Sequence, residues 1–145
     1  MDLEYDRTFL NVTSEIGKLQ AVLLHKPGKE LERLTPEYLR ELLFDDIPWL
    51  KKMREEHDEF ADVLRDRGTE VYYIEELLAQ VLANENVKRD FIDDLLRLCK
   101  IDNPELNQIL SEYINSKTPE EVVEIAISGL NKTDIPNVQR DLSLT

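Results

Sequence analysis

The sequence predicts an α/β fold: a small strand–helix–strand unit followed by a bundle of helices. Three observations carry that expectation. A short, nearly continuous apolar run, Leu19 with Ala21 to Leu24, lies between Gly17 and Pro27-Gly28, as a buried strand does. A long amphipathic helix and a run of strand formers, Glu70 to Ile74, come after it. Four segments with helical spacing and short connections then fill the second half.

Residues 1–7 read as a polar arm, and Phe9 to Val12 as a short first strand. Ser14-Glu15-Ile16-Gly17 reads as a turn, and Lys18 to His25 as the buried strand, stopped at Pro27-Gly28. The long helix spans about Trp49 to Arg67. Its apolar stripe is Trp49, Leu50, Met53, His57, Phe60 and Leu64, and Gly68 ends it. Strand, crossover helix and strand make a βαβ unit, and the preceding strand extends it to ββαβ.

The helices of the second half are expected at Glu75 to Leu82, Asn86 to Cys99, Asn103 to Asn115, and from Thr118 onward. Val87, Phe91, Leu95, Leu98 and Cys99 share one arc, so Cys99 reads as core filler. Thr118 and Glu121 stand at capping-box spacing. The bundle covers residues 75–131, and periodicity dissolves over 132–145.

Between strand and long helix lies Leu34 to Pro48. Thr35, Pro36 and Glu37 form a helix-start signal, and Leu42-Leu43-Phe44 runs into Asp45-Asp46. Two readings stand for it: a lid at the edge of a cavity, or a connector with its apolar end in the core. Asp45 and Asp46 are adjacent and diverge on an extended backbone, so they make no ready acid–base pair.

Composition narrows the function classes. The 145 residues carry 31 acids against 18 bases, a net charge of -13, which argues against nucleic-acid and anionic-membrane surfaces. One cysteine excludes an internal disulfide and a cysteine metal cage, and makes a reducing cytoplasm the default. The acidic N-terminus lacks the basic-then-apolar order of a signal peptide. The four glycines do not form a phosphate loop. His25, at a strand end, and His57, on the helix stripe, both read as structural residues. No metal or other cofactor is expected.

One resemblance goes further than these patterns. Ser14-Glu15-Ile16-Gly17-Lys18-Leu19, Val22-Leu23-Leu24-His25-Lys26-Pro27-Gly28, Leu34-Thr35-Pro36 and Leu42-Leu43-Phe44-Asp45-Asp46 follow one another in order. Together with Glu55-Glu56-His57-Asp58, Phe60, Leu64-Arg65 and Gly68, they resemble the N-terminal part of arginine deiminases. That family belongs to the guanidine-modifying, or pentein, superfamily. The resemblance implies a five-bladed α/β propeller of ββαβ repeats with a helical bundle inserted after the first blade. Residues 1–74 would be that blade, 75–131 the bundle and 132–145 a linker back to the catalytic domain. It implies a cytoplasmic hydrolase of arginine catabolism, homo-oligomeric when complete, converting L-arginine to L-citrulline and ammonia. A cysteine thiolate attacks the guanidinium carbon, a histidine serves as acid and base, and acidic residues hold the substrate.

In that family the cysteine, histidine and acids come after the bundle, so neither Cys99 nor either histidine matches them. The resemblance makes Leu34 to Pro48 a substrate-gating loop, with Leu43 lining the substrate site and Phe44, Asp45 and Asp46 beside it. An N-terminal fragment, inactive alone, is the first expectation. A stand-alone, non-catalytic interaction or regulatory module is the alternative. A lone blade exposes strand edges, so the chain is also expected to be marginally stable or to self-associate, most visibly through Leu19 to Leu24.

Overall fold

The computed structural model describes residues 12–33 and 48–135. Two strands, β1 (Ala21–Leu24) and β2 (Glu70–Tyr73), pair in parallel with Ala21 opposite Glu70 and Leu24 opposite Tyr73. A parallel pair needs a long crossover, and the helix α2 (Leu50–Asp66) lies in it, after a single helical turn, α1 (Lys29–Glu32).

The α2 helix stops where the sequence says it should. Gly68 has φ +77°, its N–H donates to the Arg65 carbonyl at 2.8 Å, and the Thr69 N–H donates to the Leu64 carbonyl at 3.0 Å. These two bonds are the Schellman pattern, which needs a left-handed residue after the helix. The ladder then starts at once. The Glu70 N–H donates to the Gln20 carbonyl at 2.9 Å and the Thr69 hydroxyl to the Leu19 carbonyl at 3.1 Å.

Four helices follow: α3 (Ile74–Leu82), α4 (Glu85–Leu98), α5 (Pro104–Asn115) and α6 (Pro119–Ser128), then a 3-10 turn at Lys132–Asp134. Three of them carry side-chain caps. Asn84 Oδ1 accepts from the Asn86 N–H at 3.0 Å, and Asn103 Oδ1 from the Glu105 N–H at 3.0 Å. At α6 the capping box forms as expected. The Glu121 N–H donates to Thr118 Oγ1 at 3.3 Å, and the Thr118 N–H to Glu121 Oε2 at 2.9 Å.

The core belongs to these helices. Leu82, Ile92, Leu96, Ile114, Val122 and Val123 form its buried cluster, with Phe91, Leu110 and Ile125 packed around it. The α3 helix packs on α6 and α4, α4 packs on α5, and α1 lies against α6.

Several expectations change. The first strand, Phe9 to Val12, falls outside the described residues except for Val12, which is exposed and irregular, so the described unit is βαβ. The second strand is shorter than Lys18 to His25 and is not fully buried: Leu23 is 53% exposed. The described residues flank one face of the sheet with α2, and Leu23 and Tyr72 sit on the other face at alternate positions to the half-buried Val22, Leu24, Val71 and Tyr73.

Cys99 is exposed rather than core filler. The buried arc of α4 is Lys88, Ile92 and Leu96, at four-residue steps. Leu98, 75% exposed, and Cys99 fall off that arc at the helix end. Lys88 is the surprise on it. Its ammonium reaches Glu85 at 3.0 Å and the Lys117 carbonyl at 3.3 Å, so the buried charge is paired and hydrogen-bonded. On α2, Ala61 is the buried residue, while Trp49 and Phe60 are exposed despite lying on the predicted stripe.

Candidate functional site

Both strands of a parallel pair point their carboxyl ends the same way, and in open α/β sheets that edge is where ligand sites gather. Here β1 delivers His25 and Lys26 to that edge, and β2 runs directly into α3, which delivers Glu75. The α1 turn, the flank of α2 and the side of α6 complete a cleft of about 700 Å³. Its lining is mixed in charge: His25, Lys26, Arg54 and Arg65 face Glu30, Asp58, Glu75 and Glu124, with Val123 and Ile127 as apolar floor.

Hydrogen bonds fix this edge. His25 Nδ1 pairs with Glu75 Oε1, and His25 Nε2 lies 3.1 Å from Glu30 Oε1. The Lys26 N–H donates to the same Glu75 oxygen at 3.1 Å, while Glu75 Oε2 is buried without a partner. Burial alone would raise the Glu30 carboxyl. Hydrogen bonds from the Gly28 N–H, its own N–H and His25 outweigh that effect and hold it below the ordinary value.

The Lys26 ammonium sits 2.7 Å from Asp58 Oδ1, and this hydrogen bond is the main reason the Asp58 carboxyl is lowered. Arg54 Nε donates to the Pro27 carbonyl at 2.7 Å, tying α2 to the turn after β1.

The residues predicted for a substrate site are not in this geometry. Leu43, Phe44, Asp45 and Asp46, with the rest of the 34–47 segment, lie outside the described residues. His57 is a half-buried stripe residue as expected. Its ring packs 5.7 Å from that of Tyr73, and its Nε2 is buried without a hydrogen-bond partner. Cys99 is not among the cleft residues. His25, read from the sequence as a structural residue, lines the cleft and meets two carboxylates there. Glu30 and Glu75, its partners, were missed, although Glu75 stands immediately past a predicted strand end, where the parallel-sheet rule directs attention.

The cleft can hold charged groups, but its lining supplies no thiol. Among the described residues no three His, Cys, Asp or Glu side chains are placed to hold a metal ion, and no helix is long and apolar enough to cross a membrane.

Comparison with known proteins decides the family. The arginine deiminase family model matches residues 40–143. The chain belongs to the arginine deiminase family. It is 45% identical over 133 residues to an arginine deiminase of Limosilactobacillus fermentum, covering 92% of this chain and 33% of that protein. An arginine deiminase of Bacillus cereus is 47% identical over 126 residues, 87% of this chain and 31% of that protein. One of Clostridium perfringens is 44% identical over 138 residues, 94% of this chain and 33% of that protein. The chain therefore spans about a third of the length of the curated arginine deiminases it matches.

Proposed function

We propose that this chain is the N-terminal part of an arginine deiminase, a cytoplasmic and homo-oligomeric enzyme that hydrolyses L-arginine to L-citrulline and ammonia. The family match over residues 40–143 carries this reading. The parallel β1–α2–β2 unit followed by helices supports it further, as the form expected of a first propeller blade, residues 1–74, with an inserted bundle, 75–131, and a linker, 132–145.

In this reading the chemistry belongs to the remainder of the enzyme. A cysteine thiolate adds to the guanidinium carbon, ammonia leaves, and water releases citrulline. A histidine moves the protons, and carboxylates hold the cationic substrate. No cofactor takes part. The contribution of this chain is the segment Leu34 to Pro48, with Leu43 against the substrate and Phe44, Asp45 and Asp46 beside it. The chain alone is inactive.

The test is steady-state kinetics of the complete protein with Leu43→Ala. Wild type is expected to form citrulline from arginine. The variant is expected to raise KM about ten-fold, with a smaller change in kcat, as loss of a substrate contact does. A wild-type protein that forms no citrulline would overturn the activity, and an unchanged KM would overturn the role of Leu43.

A further inference from the structure

The residue immediately before the 34–48 segment is the most heavily bonded cation of the described chain. The Arg33 side chain, three-quarters buried, donates through Nη1 to the Ser128 carbonyl at 3.0 Å and to the Gly129 carbonyl. Its Nη2 lies 2.9 Å from Asp134 Oδ2. These acceptors are the C-terminal end of α6 and the turn beyond it, so the guanidinium meets both the negative end of a helix and a carboxylate. One turn earlier, Lys29 pairs with Glu124 of α6 at 3.0 Å.

The receiving surface is itself held from behind. Asp134 Oδ2 also accepts from the Asn131 N–H at 2.8 Å, and the Asp134 carbonyl accepts from the Tyr113 hydroxyl of α5 at 2.9 Å. Ile135, next in sequence, is buried. A chain of contacts thus runs from α1 through Arg33 and Asp134 to Tyr113, a partly buried residue packed against the helical core.

We propose that Arg33 is a positioning residue of the deiminase, through which the helical bundle fixes the chain that leads from β1 to the substrate-contacting segment. The bundle then acts as the support for that chain. The proposal rests on the deiminase reading. Its physical basis is that Arg33 joins segments about one hundred residues apart (Asp134 is 101 positions on) by a planar donor group with three acceptors. A lysine at that position has one ammonium and cannot reproduce the arrangement.

The experiment uses the complete enzyme and the variants Arg33→Ala, Arg33→Lys and Tyr113→Phe. Two quantities are read: hydrogen exchange of the Leu31 and Arg33 amides, which bond within α1, and the kinetics of citrulline formation. Arg33→Ala is expected to speed exchange at both amides. It is also expected to lower kcat/KM for arginine by about ten-fold or more, mostly through KM, as misplacement of a substrate-orienting element does. Arg33→Lys is expected to recover only part of the loss, and Tyr113→Phe to show the same pattern at smaller size. An Arg33→Ala enzyme with wild-type kinetics overturns the proposal, as does full recovery by lysine or a fall in kcat alone. If Arg33→Ala does not fold, Arg33→Lys and Tyr113→Phe decide on the same criteria. Failure of the wild-type enzyme to make citrulline is separate, because it removes the deiminase reading on which the positioning role depends.

Discussion

The helical half and the two-stranded half of this chain obey different physics. From Ile74 to Ile135 nearly every stabilising feature is local or between neighbouring helices: side-chain caps, one buried cluster and short turns. Among the described residues from Val12 to Tyr73 one hydrophobic residue is fully buried, Ala61, while Leu19, Leu23, Phe60 and Val63 remain substantially exposed. A parallel sheet is a structure that wants both faces covered. The described residues cover one face of it. The helical half supplies its own core, and the described strand half leaves apolar side chains exposed.

The largest expected effect sharpens that contrast. Ile92→Ala, at a fully buried position of α4, should lower unfolding free energy by about 2–5 kcal/mol, read by urea denaturation. Leu23→Ser, at a half-exposed strand position, should change it by about 0.5 kcal/mol or less. Equal losses at the two sites would break the comparison. Next in size is association. The 145-residue chain should self-associate in sedimentation experiments, and Leu23→Ser should weaken this about ten-fold, or about 1.4 kcal/mol. A strict monomer at all concentrations would contradict it.

Thr118→Ala removes one side of the α6 capping box and should cost about 1 kcal/mol of stability. The smallest effect lies at the strand edge. The Glu30 carboxyl is lowered in the folded protein relative to its ordinary 4.5, so the unfolded chain binds its proton first as pH falls. Its contribution to stability is therefore present above about pH 4.5 and is lost as pH drops through the lowered folded value. Glu30→Gln should flatten this acid limb in pH-dependent melts, and an unaltered limb would remove the role.

The same contrast explains what was legible in the sequence. Helix bounds in the second half follow from residues close to them: Asn103, Thr118 with Glu121, and Gly68 for α2; the Asn84 cap lies just before the expected start at Asn86 and was not read. The parallel pairing of β1 with β2 also followed from strand, long helix and strand. Burial was harder. The arc read from spacing, Val87, Phe91, Leu95, Leu98 and Cys99, is not the buried one, and only the packing of α4 on its neighbours selects Ile92 and Leu96 instead. The cleft was least legible, because His25, Glu30 and Glu75 meet across 50 residues and no spacing rule joins them. Arg33 escaped notice for the same reason, its partners lying near residue 130.

Citrulline formation tests the central claim most directly. The purified 145-residue chain and the complete enzyme are each incubated with L-arginine and citrulline is quantified. The chain alone should form none above background while the complete enzyme turns over. Citrulline made by the chain alone, or a complete enzyme that makes none, would contradict the account.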